Sequence, residues 1–86
     1  VEILKVAATS NPNAVAGAIA GALEAAGLVE AHAIRAGAVN QAVKAIAIAR
    51  RLVEREGELE VKVVPGFVDV EVAGEVRTGM RFVIQR

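Results

Sequence analysis

The 86-residue sequence contains no cysteine, no tryptophan and no tyrosine, and only one histidine. Without cysteine there is no disulfide framework, no thiolate metal site and no cysteine nucleophile, and His32 cannot hold a metal alone. No metal or cofactor is expected. Charge of one sign is missing too: ten basic residues cancel ten acidic ones. This argues against a protein that coats nucleic acid through bulk positive charge, so any such binding must be local. No apolar run approaches the roughly 18 residues a membrane span needs, and the first residues lack the charged-then-apolar pattern of a signal peptide. The expectation is a soluble, cytoplasmic protein. With no set of serine, histidine and acid and no phosphate loop, an enzyme is not expected.

What is present is small and branched. Eighteen residues are alanine and only Phe67 and Phe82 are aromatic, so the core must rely on close backbone spacing. The length fits a single domain, residues 1–86, burying about 60% of its unfolded surface. Its longest segment of one period is residues 35–55, RAGAVNQAVKAIAIARRLVER. At about 100° per residue, Val39, Ala42, Val43, Ala45, Ile46, Ile48, Ala49, Leu52 and Val53 cover roughly 220°, which predicts a mostly buried helix. The stripe left to water carries Asn40, Lys44, Ala47, Arg51, Glu54 and Arg55.

Before this helix, residues 2–8 read as a first strand. Ser10 or Asn11 then caps a helix that begins at Pro12, runs to about Ala26 and stops at Gly27. Val15, Ile19, Ala22 and Leu23 form its apolar stripe, and Gly17 and Gly21 stand in GxxxG spacing on a face without bulk. Those glycines either let the helix approach its neighbour or form a docking face for another subunit. Residues 28–35 alternate as a second strand, with His32 on its polar side and better suited to a hydrogen bond than to general-base work. Residues 59–64 alternate as a third strand, which Pro65 and Gly66 interrupt and which is therefore placed at a sheet edge. Residues 67–72 resume the alternation, Ala73 and Gly74 turn it, and residues 75–85 return with Met80, Phe82 and Ile84 on one face. Glu54, Glu56, Glu58 and Glu60 read as a solvated helix end and strand start. The strand, helix, strand, helix order implies parallel strands with right-handed crossovers.

If the first two strands are parallel neighbours, both helices begin at one edge, where exposed amides and positive dipole ends attract anions. Ser10, Asn11 and Asn13 stand at the first helix start, and Arg35, Gly37, Asn40, Gln41 and Lys44 at the second. None has a specific spacing, and the plain reading of each is a cap, a tight turn or an ordinary first-turn residue.

SNPNAVAGAIAG at residues 10–21 and GAVNQAVKAIAIAR at residues 37–50 resemble the stage V sporulation protein S family. The resemblance continues through Val64, Pro65, Gly66 and Phe67 into the hairpin. It implies a small bacterial regulatory protein of sporulation and related developmental control. It also implies an Alba-like fold, a two-layer α/β arrangement of order β-α-β-α-β-β with a four-stranded mixed sheet, strand order 1-2-4-3, and both helices on one face. More distantly similar archaeal Alba proteins sit on nucleic acid as dimers. They use the loop before the first helix, the start of the second and the last hairpin as an arm. Carried over, this points to Ser10, Asn11, Arg35, Asn40, Lys44 and, on the hairpin, Arg77; Gly37 and Gln41 share the edge.

The departures matter. Ser10 and Asn11 stand where Alba proteins place lysines, and Asp69, Glu71 and Glu75 outnumber Arg77 on the arm. Each lost phosphate contact removes about one unit from the salt dependence. The leading expectation is a regulator, a homodimer or higher homo-oligomer, that binds DNA or RNA weakly or selectively. The alternative is a protein-protein interaction module without nucleic-acid binding, and a small anionic ligand at the paired helix starts is a third reading.

Overall fold

The computed structural model describes residues 1–55 and 60–86. Its elements follow in the order β1 (Ile3–Lys5), α1 (Pro12–Ala26), β2 (Leu28–Ala33), α2 (Ala36–Arg55), β3 (Lys62–Val72) and β4 (Glu75–Gln85). They build one four-stranded sheet of order β1-β2-β4-β3. β1 lies parallel to β2, and β4 runs antiparallel to both β2 and β3. This is the two-layer Alba-like arrangement the resemblance implied.

Local chemistry accounts for the boundaries. Gly27 ends α1 in the left-handed region (φ 74°), where its N–H donates to the Leu23 carbonyl at 2.8 Å, a conformation that costs a side chain and suits glycine. Ala73 and Gly74 both have positive φ, 51° and 81°, as a two-residue hairpin turn that matches strand twist requires.

The strands differ from expectation in length. β1 and β2 are shorter than residues 2–8 and 28–35, because the chain leaves the sheet earlier to reach each helix. Pro65 and Gly66 do not interrupt β3, whose pairing with β4 continues through Pro65 to Phe82 and Gly66 to Arg81. β3 is the edge strand, as Pro65 implied, and its outer side has no ladder bond for a missing N–H to break. The expected strand start at Leu59 lies outside the described residues, as do Glu56 and Glu58.

Strand pairing fixes which side chains share a face. Val29, Ala31 and Ala33 of β2 lie opposite Ile84, Phe82 and Met80 of β4, and both helices pack on that face. Eight of the fifteen buried apolar residues are alanine, which allows the helices to approach each other and the sheet closely. Among the described residues no polar or charged side chain is buried. The opposite sheet face carries no helix.

Two expectations about the helices fail. Val43 is 49% exposed because α2 lies over β2 and leaves its flank toward β3 uncovered, so the buried arc is narrower than its periodicity suggested. Gly17 and Gly21 are exposed, and an added Cβ at either would meet nothing within 4 Å. They do not mediate helix contact; α1 meets the core through Ala16, Ile19, Ala22 and Leu23. No helix among the described residues is long and apolar enough to cross a membrane.

Candidate functional site

Because β1 and β2 are parallel neighbours, the loops that leave them reach the same edge, and α1 and α2 both start there. The β3–β4 hairpin projects from this edge as well. Five pairs, from Val68 with Gly79 to Val72 with Glu75, continue beyond the last residue of β2, about 17 Å of two-stranded arm. The long axis of the molecule, 44 Å against 22 and 17 Å, reflects it.

The two helix starts are built differently. At α1, Asn11 is the N-cap with extended backbone, and its Oδ1 accepts from the N–H groups of Asn13 at 2.9 Å and Ala14 at 3.3 Å. Pro12 occupies the first helical position, where no N–H is needed. Half-buried Ser10 closes the preceding loop, its Oγ accepting from the Ala7 N–H at 2.9 Å and its own N–H donating to the Ala7 carbonyl at 3.0 Å. These acceptor oxygens serve the fold, and what remains to face outward is the Asn11 amide nitrogen.

At α2 the Val39 N–H donates to the Arg35 carbonyl at 2.9 Å and closes the first turn. Among the described residues, no side chain accepts from the N–H groups of Ala36, Gly37 or Ala38, so three amides are uncapped at the positive end of a 20-residue helix, two of them on exposed residues. Arg35 sits just before them, exposed and without a hydrogen bond or ion pair among the described residues. Gly37, Asn40 and Lys44, at spacings of three and four, share the exposed face that continues from this point.

Gly37 and Gln41 have structural duties that the sequence reading gave to a turn and to an outward contact. A Cβ at Gly37 would lie 3.1 Å from the Ala8 Cβ, and φ there is not positive, so the glycine serves close approach of α2 to the first loop. Half-buried Gln41 donates through Nε2 to the Ser10 carbonyl at 3.0 Å, joining the two helix starts directly.

Arg77 belongs to the same end of the molecule but to another face. Pairing with Val70, it lies on the strand face turned away from the helices, and Glu75 approaches it at 3.7 Å. The helix-side face of the arm carries Asp69 and Glu71 by register, and Thr78 Oγ1 donates to Asp69 Oδ1 at 3.0 Å. His32, on the open sheet face, shares a 2.9 Å hydrogen bond with Glu30.

Two features escaped the sequence reading. One is an apolar slot of about 210 Å³ at the helix-start edge, lined by Val6, Ala7, Ala8, Ile34, Arg35 and Ala38. It lies between two segments distant in sequence, so no periodicity could reveal it. The other is an open groove of about 480 Å³ between α2 and β3, with Val43, Ile46, Val61 and Val63 in its walls. Exposure of Val43, unexpected from its helical position, is its signature. With this geometry in place, comparison with protein families adds one finding: the family model described as Stage V sporulation protein S (SpoVS) matches residues 2–86, nearly the whole chain.

Proposed function

We propose that this chain, which belongs to the stage V sporulation protein S family and is accordingly a small sporulation-related protein, is a non-catalytic regulator that binds nucleic acid. Binding is weak or selective, uses a homodimer, and runs through the edge where the helices begin. The observation that carries this reading is the exposure of Arg35, just before α2, and of Asn40 and Lys44 on one face of it, together with three uncapped backbone amides at the start of α2. Cations and open amides at a helix start hold phosphate, and an amide side chain pairs with a base edge. Ser10, Asn11, Gly37 and Gln41 shape the edge, and Arg77 adds a cation on the other face of the arm, with Glu75 beside it. Asp69, Glu71 and Glu75 on that arm repel a phosphate backbone, which keeps general duplex affinity low.

Fluorescence anisotropy with labelled single-stranded and duplex DNA and RNA at about 50 and 200 mM salt tests the reading. Saturable binding that falls with salt is expected, and Lys44→Ala should weaken it across sequences while flattening the salt slope by about one. No binding at low salt to any of the four would overturn it and favour a module that acts through protein contacts alone.

A second copy of the chain is the proposed partner because the surface carries both a knob and a hole. Phe67 is 76% exposed on the helix side of β3, the strand whose Val63 lines the groove against α2. The strand holds Phe67 two pleats from Val63, so it cannot turn back into its own groove. Across a two-fold axis, each copy's Phe67 fills the other's groove and the contact closes on itself. Sedimentation equilibrium should find a dimer that Phe67→Ser converts to a folded monomer. A monomeric wild-type protein would overturn this assignment.

A further inference from the structure

The slot at the helix-start edge has walls of the wrong chemistry for phosphate and the right chemistry for a ring. Its lining combines buried Val6 and Ala38, half-buried Ile34, exposed Ala7 and Ala8, and the exposed, unpaired Arg35. Gly37 contributes by absence, since a Cβ there would lie only 3.1 Å from the Ala8 Cβ and glycine lets α2 approach the loop that carries Ala7 and Ala8.

Size and charge narrow the occupant. At about 210 Å³ the slot is smaller than the roughly 300–1,000 Å³ of sites for drug-sized ligands, so it takes one ring system and no more. An aliphatic lining that also includes an unpaired arginine suits a flat heteroaromatic ring, because arginine stacks on bases as well as pairing with phosphate. A base inside a duplex is stacked on both faces and cannot enter. A duplex crossing this edge would touch Arg35 and leave the slot empty.

We infer that the slot receives a single unpaired nucleobase whose phosphate is held by Arg35. The ligand is therefore a base carrying a phosphate, supplied by a single strand. This rests on the nucleic-acid reading above and deepens it, because it makes single strands the preferred form. It also separates the roles of two neighbouring cations: Arg35 acts on base and phosphate together, whereas Lys44, farther along α2, acts on phosphate alone.

The test compares a labelled single-stranded oligonucleotide, its duplex, and an abasic strand of the same length, alongside a free nucleoside monophosphate. Each is titrated against the wild-type protein and Ala7→Leu. Ala7 is an exposed residue of the slot's lining, and its backbone N–H keeps the bond to Ser10, so leucine fills the slot without removing a charge. Ala38→Leu, which fills it from a buried position, is the second variant, and thermal melting confirms that each is folded. The expected result is single-strand binding about tenfold tighter than binding of the abasic strand, with both slot variants reduced to the abasic level. Equal affinity for normal and abasic strands, or slot variants that bind as wild type does, would overturn the slot while leaving the nucleic-acid reading intact. Binding of the free monophosphate alone, lost in the slot variants, would uphold the slot and overturn that reading. Absence of binding to every probe would overturn both.

Discussion

The two helices begin within one hydrogen bond of each other, yet they complete their first turns in opposite ways. α1 is self-sufficient: Asn11 caps two of its amides, Pro12 needs none, and Ser10 fixes the loop in front. α2 starts with three amides uncapped, two of them on exposed residues, and an unpaired arginine before them. An uncapped start forgoes roughly 1 kcal/mol that a side-chain acceptor supplies, so α2 gives up stability at the position where a phosphate could take the acceptor's place. The difference teaches where to look for a ligand. Helix starts attract anions in general, but α1 has already bound its own oxygen.

The largest expected effect comes from giving α2 the cap that α1 has. Arg35→Asp installs an acceptor and removes the cation, so stability should rise by about 0.5–1 kcal/mol while nucleic-acid binding weakens by at least about 2 kcal/mol. Thermal melting and anisotropy read the two effects, and a variant unchanged in both would mean that the two starts do not differ in function. The reverse exchange is smaller. Asn11→Ala should cost about 1 kcal/mol of stability with affinity altered less than about twofold, and a large loss of affinity would show that the α1 start is also a contact.

Gln41→Leu removes the bond between the starts and leaves the half-buried Ser10 carbonyl unpaired, for a loss of about 1 kcal/mol. Denaturant unfolding measures it, and an unchanged midpoint would mean that packing alone sets the spacing. Smallest is Gly17→Ala on the outer face of α1, where nothing lies within 4 Å of the new methyl. Lower chain entropy in the unfolded state should raise stability by about 0.5–1 kcal/mol. A fall in stability, or altered assembly on sedimentation, would show that this open face contacts something after all.

Much of the helix-start edge was legible before the structure. Asn11, Pro12 and Gly27 announce α1 through chemistry that acts within a few residues, and their placement is as expected. Arg35, Asn40 and Lys44 could be assigned to the edge once the strands were taken as parallel, because Arg35 directly precedes the helix and a spacing of four puts Asn40 and Lys44 on one face of it. Gln41 and Gly37 were visible as residues but not in their roles, since each depends on a neighbour contributed by the first loop. The same limit explains Val43. Its angle on the helix is a property of the sequence, but its exposure depends on how much of the sheet lies beneath it.

By itself, then, the sequence determined the order and type of the elements, the edge position of β3, the caps of α1 and the small-residue core. Periodicity, proline, glycine and side-chain size act over short spans of chain, and strand order followed through the family resemblance. Only the tertiary structure decided that β3 runs unbroken through Pro65, that Arg77 faces away from the helices, and that Gly37 lets α2 approach Ala8. It alone decided that an apolar slot lined in part by Arg35 opens at the helix-start edge and that Phe67 stands exposed on the helix side of the edge strand. Those are relations between segments far apart in sequence, and they exist only after packing has set the distances between them.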